Sequence, residues 1–374
     1  MPAGSSDKGF IYNQVALIGT GLIGGSLGIA LREKRLVKEV VGFDQEKCAL
    51  EEAIKRGAVD RAASSLVEAV KASDLVILAI PVSNTLEVLK SILPFLKQDT
   101  VITDVGSTKA SIMKKVVGLF PPSVHFIGGH PMAGSEESGI KGADPALLEN
   151  AIYVLTPAAD CPSVVVEKLQ HILEETGAEP LVLNPEEHDR VVASVSHLPY
   201  VVAAALTRSV AGAENVELVR TLAAGGFRDS TRIALSSPEL WRGICLSNRE
   251  ELGKALLSFQ DSISRIQKHL LDCDQDAIEE FFREARDYRS NIPYRGRGIL
   301  PELYEVIVLI KDIPGAIGHL TTILGNSGVN IDAIEILHVR ELAGGSIRLG
   351  FRSIDQQQKA IKLLDEKGYS YYSK

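Results

Sequence analysis

The stretch Val15-Ala16-Leu17-Ile18-Gly19-Thr20-Gly21-Leu22-Ile23-Gly24 decides the fold, because an apolar run leads directly into a glycine-rich turn. The run is typical of a buried β-strand, and a segment of helical periodicity follows the turn. At such a turn the first glycine allows a tight bend, the second lets a pyrophosphate approach the backbone, and the third lets the helix pack on the strand. The predicted cofactor-binding residues here are Gly19, Gly21, Leu22, Ile23 and Gly24.

A second predicted strand, Val40-Val41-Gly42-Phe43-Asp44, ends in an acid twenty residues after Gly24. An acid at this spacing accepts hydrogen bonds from the adenosine ribose hydroxyls and repels a 2′-phosphate, so Asp44 favours NAD over NADP. Two alternatives stay open: the glycines form an ordinary turn, or Asp44 is a solvated acid at a strand end. The motif indicates the cofactor and leaves the substrate undetermined, because Rossmann domains serve many reactions.

The size and charge of the chain limit its class. With 374 residues and 45% hydrophobic content, it is long enough for two or three domains, each with its own core. A formal net charge of −8 argues against nucleic-acid binding, which needs a basic surface, so a small-molecule partner is expected. The longest clearly apolar stretches, such as Leu75–Ile80, are far shorter than the roughly 20 residues that cross a bilayer, so no membrane association is expected.

The cysteines and histidines carry no metal or disulfide pattern. Cysteines 48, 161, 245 and 273 lie far apart without CxxC spacing, which argues against a disulfide framework and a zinc site. The eight histidines show no HxxxH or HxH pairing, so no metal is expected. The polar N-terminal segment has no apolar region typical of a signal peptide. These features favour a reducing cytoplasm.

Changes in hydrophobic pattern divide the chain into three predicted domains. Residues 13–185 alternate short apolar runs with helical segments, which predicts a Rossmann-type doubly wound parallel α/β sheet. Residues 186–292 show only helical periodicity, and residues 302–374 follow the β-α-β-β-α-β order of a ferredoxin-like α+β domain. Residues 1–12 are predicted to be a disordered tail and residues 293–301 a linker. The strands of the first domain are predicted at 14–18, 39–43, 75–80, 100–105, 124–127, 151–156 and 179–183.

Two polar motifs follow predicted strands of this sheet. Asp104-Val105-Gly106-Ser107-Thr108-Lys109 comes after one strand, and Gly128-Gly129-His130-Pro131-Met132-Ala133-Gly134 runs out of another. Since the carboxyl ends of parallel strands meet at one edge of a sheet, Ser107 and His130 are expected beside the cofactor. Lys109 is expected to be structural or gating rather than catalytic.

Five motifs in a fixed order, GLIGGSL, DVGSTK, GGHPMAG, SHLP and GGFRDSTRI, resemble those of the prephenate dehydrogenase family. The resemblance covers nearly the whole chain. It implies an NAD-dependent oxidation of prephenate with loss of CO2, giving 4-hydroxyphenylpyruvate for tyrosine biosynthesis, and a homodimer built on the helical domain. The segments Ile310–Ile317 and Gly328–Ile331 resemble an ACT domain, a regulatory fold that often binds amino acids.

Residue roles follow from this resemblance together with the chemistry. Hydride leaves a carbon that bears a hydroxyl, so a histidine is suited to accept the hydroxyl proton, and the resemblance implies His130. Ser107 is expected to hydrogen-bond in the same region, although a helix N-cap is an alternative role for it. Prephenate carries two carboxylates, and the resemblance implies that Arg232 binds one of them. The predicted substrate-binding set is Arg232, His197, Arg228 and Ser196.

Two positions depart from the family pattern, and the C-terminal domain adds a regulatory prediction. Several relatives have a second histidine where this chain has Tyr200, and many have lysine at Arg228. His197 also has a structural alternative, as a buried core residue. L-tyrosine is expected to bind the ACT-like domain and inhibit the enzyme. The predicted effector residues are Asp312, Pro314, Gly315, Ala316, Ile317, Asn330 and Ile331.

Three other functions compete with this prediction. Arogenate dehydrogenase acts on a substrate with an amine in place of the side-chain keto group, and motif spacing does not separate it from prephenate dehydrogenase. A regulatory protein that senses NAD and an amino acid without turnover would not need His130 or Ser107. A hydroxyacid reductase of the related two-domain kind would need a catalytic lysine in the helical domain, for which the sequence offers no clear candidate.

Overall fold

In the computed structural model the chain divides into two compact units, residues 1–293 and residues 294–374. The structure describes residues 9–134, 139–212, 215–292, 303–311, 313–337 and 345–373.

Within the described residues the first unit holds an eight-stranded sheet of the order β3-β2-β1-β4-β5-β6-β7-β8. Its strands are β1 (Tyr12–Ile18), β2 (Val37–Phe43), β3 (Arg61–Ala62), β4 (Leu75–Leu78), β5 (Val101–Asp104), β6 (His125–Pro131), β7 (Ile152–Pro157) and β8 (Glu179–Val182). Its helices are α1 (Leu22–Glu33), α2 (Lys47–Lys55), α3 (Leu66–Val70), α4 (Val82–Ile92), α5 (Ala110–Val116) and α6 (Ser163–Thr176). This order confirms the predicted Rossmann-type α/β fold.

The sheet is covered on both faces because successive residues of its strands point in opposite directions. In β1, Val15 and Leu17 enter one buried cluster, whereas Ala16 and Ile18 enter the other. Each of these four side chains is at most 2% exposed. The alternation explains why all of residues 15–18 are apolar, and not only every second one.

Two features of the sheet differ from the prediction. The two-residue strand β3 is too short to leave a hydrophobic pattern. Strand β7 runs antiparallel to β6, whereas a wholly parallel sheet was expected. The described residues between these strands form only two short 3-10 turns, Ile140–Gly142 and Pro145–Leu147, so no crossover helix carries the chain back to the other end of the sheet.

The predicted tail of residues 1–12 is too long. The backbone N–H of Ile11 donates a hydrogen bond to the carbonyl of Leu36 at 2.8 Å, and Tyr12 is buried at the start of β1. Apolar packing of Tyr12 therefore orders the chain before the run that starts at residue 14. Residues 1–8 lie outside the described residues.

The described residues from 185 to 292 form helices and turns, as predicted for the second domain. Its helices are α7 (Pro185–Val192), α8 (Leu198–Ala211), α9 (Val216–Leu222), α10 (Gly225–Thr231), α11 (Pro238–Ser247), α12 (Arg249–Leu271) and α13 (Gln275–Ser290). A π-helical turn, Ala193–His197, joins α7 to α8 without a break. The continuous run Pro185–Ala211 is 27 residues long and by length and composition could cross a membrane, a feature that the search for apolar stretches missed.

The second unit contains β9 (Tyr304–Ile310), α14 (Ala316–Asn326), β10 (Ala333–Leu337), β11 (Gly345–Phe351), α15 (Ile354–Glu366) and β12 (Ser370–Ser373). All neighbouring strands are antiparallel, in the order β10-β11-β9-β12. One face of the sheet packs on both helices: Val306 and Leu349 lie in the same buried cluster as Leu320 and Leu364. This arrangement confirms the predicted ferredoxin-like unit. The predicted linker, residues 293–301, lies outside the described residues.

Candidate active site

The glycine-rich turn between β1 and α1 is held by close packing at two of its three glycines. Gly19 has a φ of +90°, and a Cβ there would lie 2.3 Å from the carbonyl oxygen of Ala79. A Cβ on Gly24 would lie 2.2 Å from the carbonyl oxygen of Gly19. Gly21 differs, since a Cβ there would meet nothing within 4 Å. The turn therefore leaves open space at its middle glycine, where a backbone-bound ligand would approach.

Asp44 lies at the carboxyl end of β2 and is bonded to the same turn. Its Oδ2 accepts hydrogen bonds from the backbone N–H of Thr20 at 2.7 Å and from the Thr20 hydroxyl at 3.0 Å. Its Oδ1 accepts one from the backbone N–H of Glu46 at 3.0 Å. The acid is only partly buried, so the carboxylate is fixed in orientation and still within reach of a ligand on the turn.

A buried ion pair lies under the ends of β5 and β6. The ammonium of Lys109 bonds to Oδ2 of Asp104 and donates to the carbonyl of Gly129 at 2.7 Å. Oδ1 of Asp104 in turn accepts the backbone N–H of Gly129 at 3.0 Å. Burial lowers the pKa of Lys109 from its ordinary value, whereas the charge of Asp104 acts in the opposite direction. The pair fixes the backbone of the residue that precedes His130.

His130 lies on β6 and begins a chain of three buried polar side chains. Its Nδ1 is 2.8 Å from Nε2 of His188, and Nδ1 of His188 is 2.8 Å from Oδ1 of Asp189. His130 is 8% exposed, His188 1% and Asp189 2%. Burial lowers the pKa of His130 well below its ordinary value of 6.5, and the neighbouring His188 and Lys109 act in the same direction. The imidazole is therefore neutral near pH 7.

Asp189 is bonded on every side. Its Oδ1 accepts the backbone N–H of Lys109 at 2.7 Å, and its Oδ2 accepts that of Ala110 at 2.9 Å. Its own carbonyl accepts the side-chain amide of Asn248 at 2.7 Å. Asp189 thereby joins the first turn of α5 to α7 and α12. The N-cap of α5 is Lys109, without a side-chain cap, so the alternative role of Ser107 as that cap is wrong.

His197 ends the π-helical turn and lies on the other side of Asn248. Its Nδ1 is 3.2 Å from the amide nitrogen of Asn248, and its buried Nε2 has no hydrogen-bond partner among the described residues. Its ring meets the edge of Trp241, which stacks on Tyr200 at 3.6 Å between ring centroids. Burial lowers the pKa of His197 to about 4. The structural alternative, a buried core histidine, accounts for the hydrogen bond at Nδ1 but leaves the buried Nε2 without a partner among the described residues.

The other residues of the predicted site are less buried. Ser107 is half-buried in the loop before Lys109, and Ser196 is half-buried in the π-helical turn. Arg228 lies in α10 and Arg232 starts the next 3-10 turn, and both are exposed. The residues that connect the chain of contacts were missed by the sequence analysis: they are His188, Asp189, Asn248 and Trp241. The adjacent pair His188-Asp189, a few residues after β8, was a signal in the sequence that could have pointed to them.

In the second unit, the two segments predicted to bind an effector lie at opposite ends of α14. Gly315 precedes the helix with a φ of +86°, and Ile317 lies in its first turn. Asn330 follows the other end, where its backbone N–H donates to Oε1 of Gln356 at 3.2 Å. An 11-residue helix is about 16 Å long, so the residues at the two ends of α14 are about that far apart. Asp312 lies outside the described residues.

Comparisons with known proteins match both parts of the first unit. A family model described as "Prephenate dehydrogenase, nucleotide-binding domain" matches residues 27–182, and one described as "Prephenate dehydrogenase, dimerization domain" matches residues 184–284. The prephenate dehydrogenase of Bacillus subtilis is 37% identical over 353 residues, which cover 94% of this chain and 95% of that protein.

Two solved structures are similar to about three quarters of this chain. Prephenate dehydrogenase from A. aeolicus, in complex with hydroxyphenyl propionate and NAD⁺, is 29% identical with a TM-score of 0.71, over 75% of this chain and 98% of that one. Synechocystis arogenate dehydrogenase is 30% identical with a TM-score of 0.66, over 75% of this chain and 100% of that one. With matches to both family models and near-complete overlap with a curated relative, this chain belongs to the prephenate dehydrogenase family.

Proposed function

We propose that the protein is an NAD-dependent prephenate dehydrogenase, which oxidises the ring carbinol of prephenate and releases CO2 to give 4-hydroxyphenylpyruvate for tyrosine biosynthesis. The observation that carries this proposal is the buried, neutral imidazole of His130 at the end of β6. Strands β1, β4, β5 and β6 are parallel neighbours, so their carboxyl ends place His130 at the same sheet edge as the glycine-rich turn.

The residues of the turn fit NAD. The open space at Gly21 admits a pyrophosphate at the amino end of α1, and the fixed carboxylate of Asp44 is placed to bind ribose hydroxyls. Leu22 and Ile23 form the first helical residues over that site, between Gly19 and Gly24. When bound, NAD⁺ takes up the hydride that leaves the ring carbon.

His130 supplies the proton acceptor. Because burial holds its pKa well below 6.5, the imidazole is unprotonated near pH 7, and it can accept the proton of the substrate hydroxyl as the carbon loses hydride. Ser107 lies half-buried at the adjacent strand end, where its hydroxyl helps to orient the substrate. Loss of CO2 makes the ring aromatic, so the reaction proceeds in one direction.

Substrate binding falls to the helical domain. We assign the ring or side-chain carboxylate to Arg232, with Arg228 on the preceding helix as a second cation. His197, neutral because its pKa is about 4, accepts from Asn248 at Nδ1 and so carries its proton on Nε2. That buried N–H is a donor for a substrate oxygen, and Ser196 precedes it in the same turn.

A second candidate activity is arogenate dehydrogenase. The similarity to the Synechocystis arogenate dehydrogenase favours it, at about the same identity as the A. aeolicus prephenate dehydrogenase. The two substrates differ at the side chain, where one has a keto group and the other an ammonium. Arg228 and Tyr200 are the departures from the family pattern that are expected to affect this choice.

The assembly is proposed to be a cytoplasmic homodimer built on helices α8 to α13. Several large apolar side chains of these helices are more than half exposed, which a partner subunit would cover. A partner subunit would also cover part of the apolar run Pro185–Ala211, because only 22% of its most apolar segment is buried within one chain. Examples of these exposed side chains are Leu218, Leu222, Leu246, Leu257, Leu270 and Leu271.

The second unit is proposed to be an ACT domain that binds L-tyrosine and lowers activity. Its ferredoxin-like order supports the proposal. The proposed ligand residues are Asp312, Pro314, Gly315, Ala316 and Ile317 on one segment and Asn330 and Ile331 on the other. Since the described parts of these segments lie at opposite ends of α14, one tyrosine would join them only between two copies of the unit. Truncation after Gly298 should abolish inhibition, and unaltered inhibition would place the regulator elsewhere.

One assay tests the proposed activity. The purified full-length protein is incubated with NAD⁺ or NADP⁺ and with prephenate or arogenate, with and without L-tyrosine, and the absorbance of the reduced nicotinamide is followed. We expect reduction of NAD⁺ with prephenate and a much slower reaction with NADP⁺. Turnover of arogenate alone would establish the second candidate, and no turnover of either would refute both.

A further inference from the structure

The hydrogen-bonded chain His130–His188–Asp189 contains two residues that have no role in the reaction proposed above. Neither His188 nor Asp189 takes part in a step of the proposed reaction, yet both are almost completely buried and bonded in a chain to His130. We infer that His188 and Asp189 are positioning residues that hold His130 as the tautomer whose Nε2 is free to accept the substrate proton. The inference rests on the proposed function and extends it to the selection of a protonation state.

The direction of the hydrogen bonds follows from the end of the chain. An ionised carboxylate only accepts, so Nδ1 of His188 must carry the proton that points to Oδ1 of Asp189. In neutral His188 the other nitrogen, Nε2, then has a lone pair and accepts from His130. His130 must therefore carry its proton on Nδ1. Its Nε2 is left unprotonated, so one carboxylate fixes the tautomers of two rings.

Asp189 is suited to this role because it cannot turn. Its two oxygens accept three hydrogen bonds, from Lys109, Ala110 and His188, and its carbonyl is held by Asn248. The backbone donors belong to the first turn of α5, so a whole helix sets the position of the carboxylate. Lys109 also donates to the carbonyl of Gly129, next to His130, which fixes both ends of the chain with one residue.

The arrangement also favours the reacting state. As the substrate O–H bond breaks, its proton moves to Nε2 of His130 and the ring becomes positively charged. That charge strengthens the bond from Nδ1 to His188, whose own proton is polarised towards Asp189. Among the described residues, the other charged or titratable groups that act on His130 are Lys109, which is paired with Asp104, and His197. The positive charge on His130 is thus stabilised by the carboxylate of Asp189, through the hydrogen bonds of His188.

A spectroscopic experiment tests the tautomers without any turnover. The full-length protein is labelled with ¹⁵N-histidine, and the imidazole signals are assigned with His130→Gln and His188→Gln variants at about pH 8, above the ordinary histidine range. We expect both rings to carry hydrogen on Nδ1 and to show an unprotonated Nε2. A proton on Nε2 of His130 in the free protein would overturn the inference.

A substitution at Asp189 separates positioning from simple structural support. Asp189→Asn keeps an oxygen for His188 but removes the charge and the acceptor for the backbone N–H of Ala110, so kcat is expected to fall about 100-fold, with KM little changed. The acid limb of the kcat profile should move to lower pH, because the protonated histidine pair loses its neighbouring carboxylate. A fall of equal size at every pH would indicate a structural role and contradict the inference.

At position 188 the conservative change should rescue part of the activity. Glutamine offers a carbonyl that accepts from Nδ1 of His130, whereas leucine does not, so His188→Gln should retain at least about tenfold more kcat than His188→Leu. Equal losses would count against the inference.

The matched control is Glu186→Gln. It breaks the exposed ion pair with Lys114, 3.3 Å long, which joins the same two helices, and it should leave kcat and the pH profile unchanged. If wild-type protein shows the expected tautomers but turns over neither prephenate nor arogenate, the proposed function fails while the tautomer assignment stands.

Discussion

Lys109 and Asp104 form an ion pair inside the protein, with 0% and 1% of their side chains exposed. The pair also holds the backbone of Gly129 through its carbonyl and its N–H. Removing one member of a buried pair leaves the other charge without compensation. The position of His130 and the stability of the first unit therefore depend on the same two side chains.

Lys109→Met should lower the free energy of unfolding by about 3–5 kcal/mol, because it leaves the Asp104 carboxylate buried and unpaired. Urea unfolding followed by circular dichroism measures this change. Lys114→Met is the control, since Lys114 forms an exposed ion pair with Glu186 and should cost less than about 1 kcal/mol. Equal effects of the two substitutions would show that the buried pair has no special weight.

The glycine-rich turn allows a paired test of its packing and its ligand. Gly24→Ala should destabilise the fold, because the added Cβ lies 2.2 Å from the carbonyl oxygen of Gly19. Gly21→Ala should leave the melting temperature unchanged, because the free protein has space for a Cβ at this position. It should weaken NAD⁺ binding by about tenfold or more, because the Cβ would occupy the space that the pyrophosphate needs. Calorimetric titration with NAD⁺ measures the second effect. Unchanged affinity would move the cofactor away from this turn.

The depressed pKa of His197 makes stability depend on pH in a defined direction. The unfolded histidine takes up a proton near pH 6.5, but the folded one does so only near pH 4. Between these values the unfolded state binds more protons, so stability is full above pH 6.5 and falls by a few kcal/mol at most as the pH drops to about 4. His197→Asn retains an acceptor for Asn248. Urea midpoints at pH 7.5 and 5.0 should show a smaller decline in this variant than in wild type, and an equal decline would contradict the assignment.

Arg232 is expected to act in substrate binding rather than in the chemical step. Arg232→Gln should raise KM for prephenate by about tenfold or more, through loss of a charge-assisted hydrogen bond, and lower kcat much less. His130→Asn should have the opposite signature, a collapse of kcat with NAD⁺ binding retained. Steady-state kinetics of both variants distinguish the two roles. An unchanged KM would remove Arg232 from the site.

The sequence predicted those parts of the fold that depend on local pattern. Residues 15–18 of β1 and residues 40 and 41 of β2 are all apolar because both faces of the sheet are covered. The spacing of Gly19 and Gly24 matches the close packing of helix and strand at the turn. The antiparallel direction of β7 escaped prediction because it depends on the connection from β6, whose described residues form only short 3-10 turns, and not on the residues of the strand itself.

The sequence predicted only part of the candidate site, for a similar reason. His130 stands between glycines and a proline, which marks it, whereas its partner His188 is 58 residues away and sits in a helix of ordinary composition. Contacts at such separations are set by the packing of domains on each other. The burial of Lys109 is equally nonlocal, since its aspartate lies on β5 and its carbonyl acceptor on β6.

The π-helical turn Ala193–His197 has a consequence for how the helical region tolerates change. A π turn holds one residue more than an α turn, and each α-helical residue advances the chain by about 100°. If the same five residues were wound as an ordinary α-helix, everything after them would rotate by roughly a quarter turn relative to α7. His188 would keep its place, but His197 and the apolar side chains of α8 would face a different direction. One turn thus sets both the orientation of His197 and that of the helix face proposed for dimerisation.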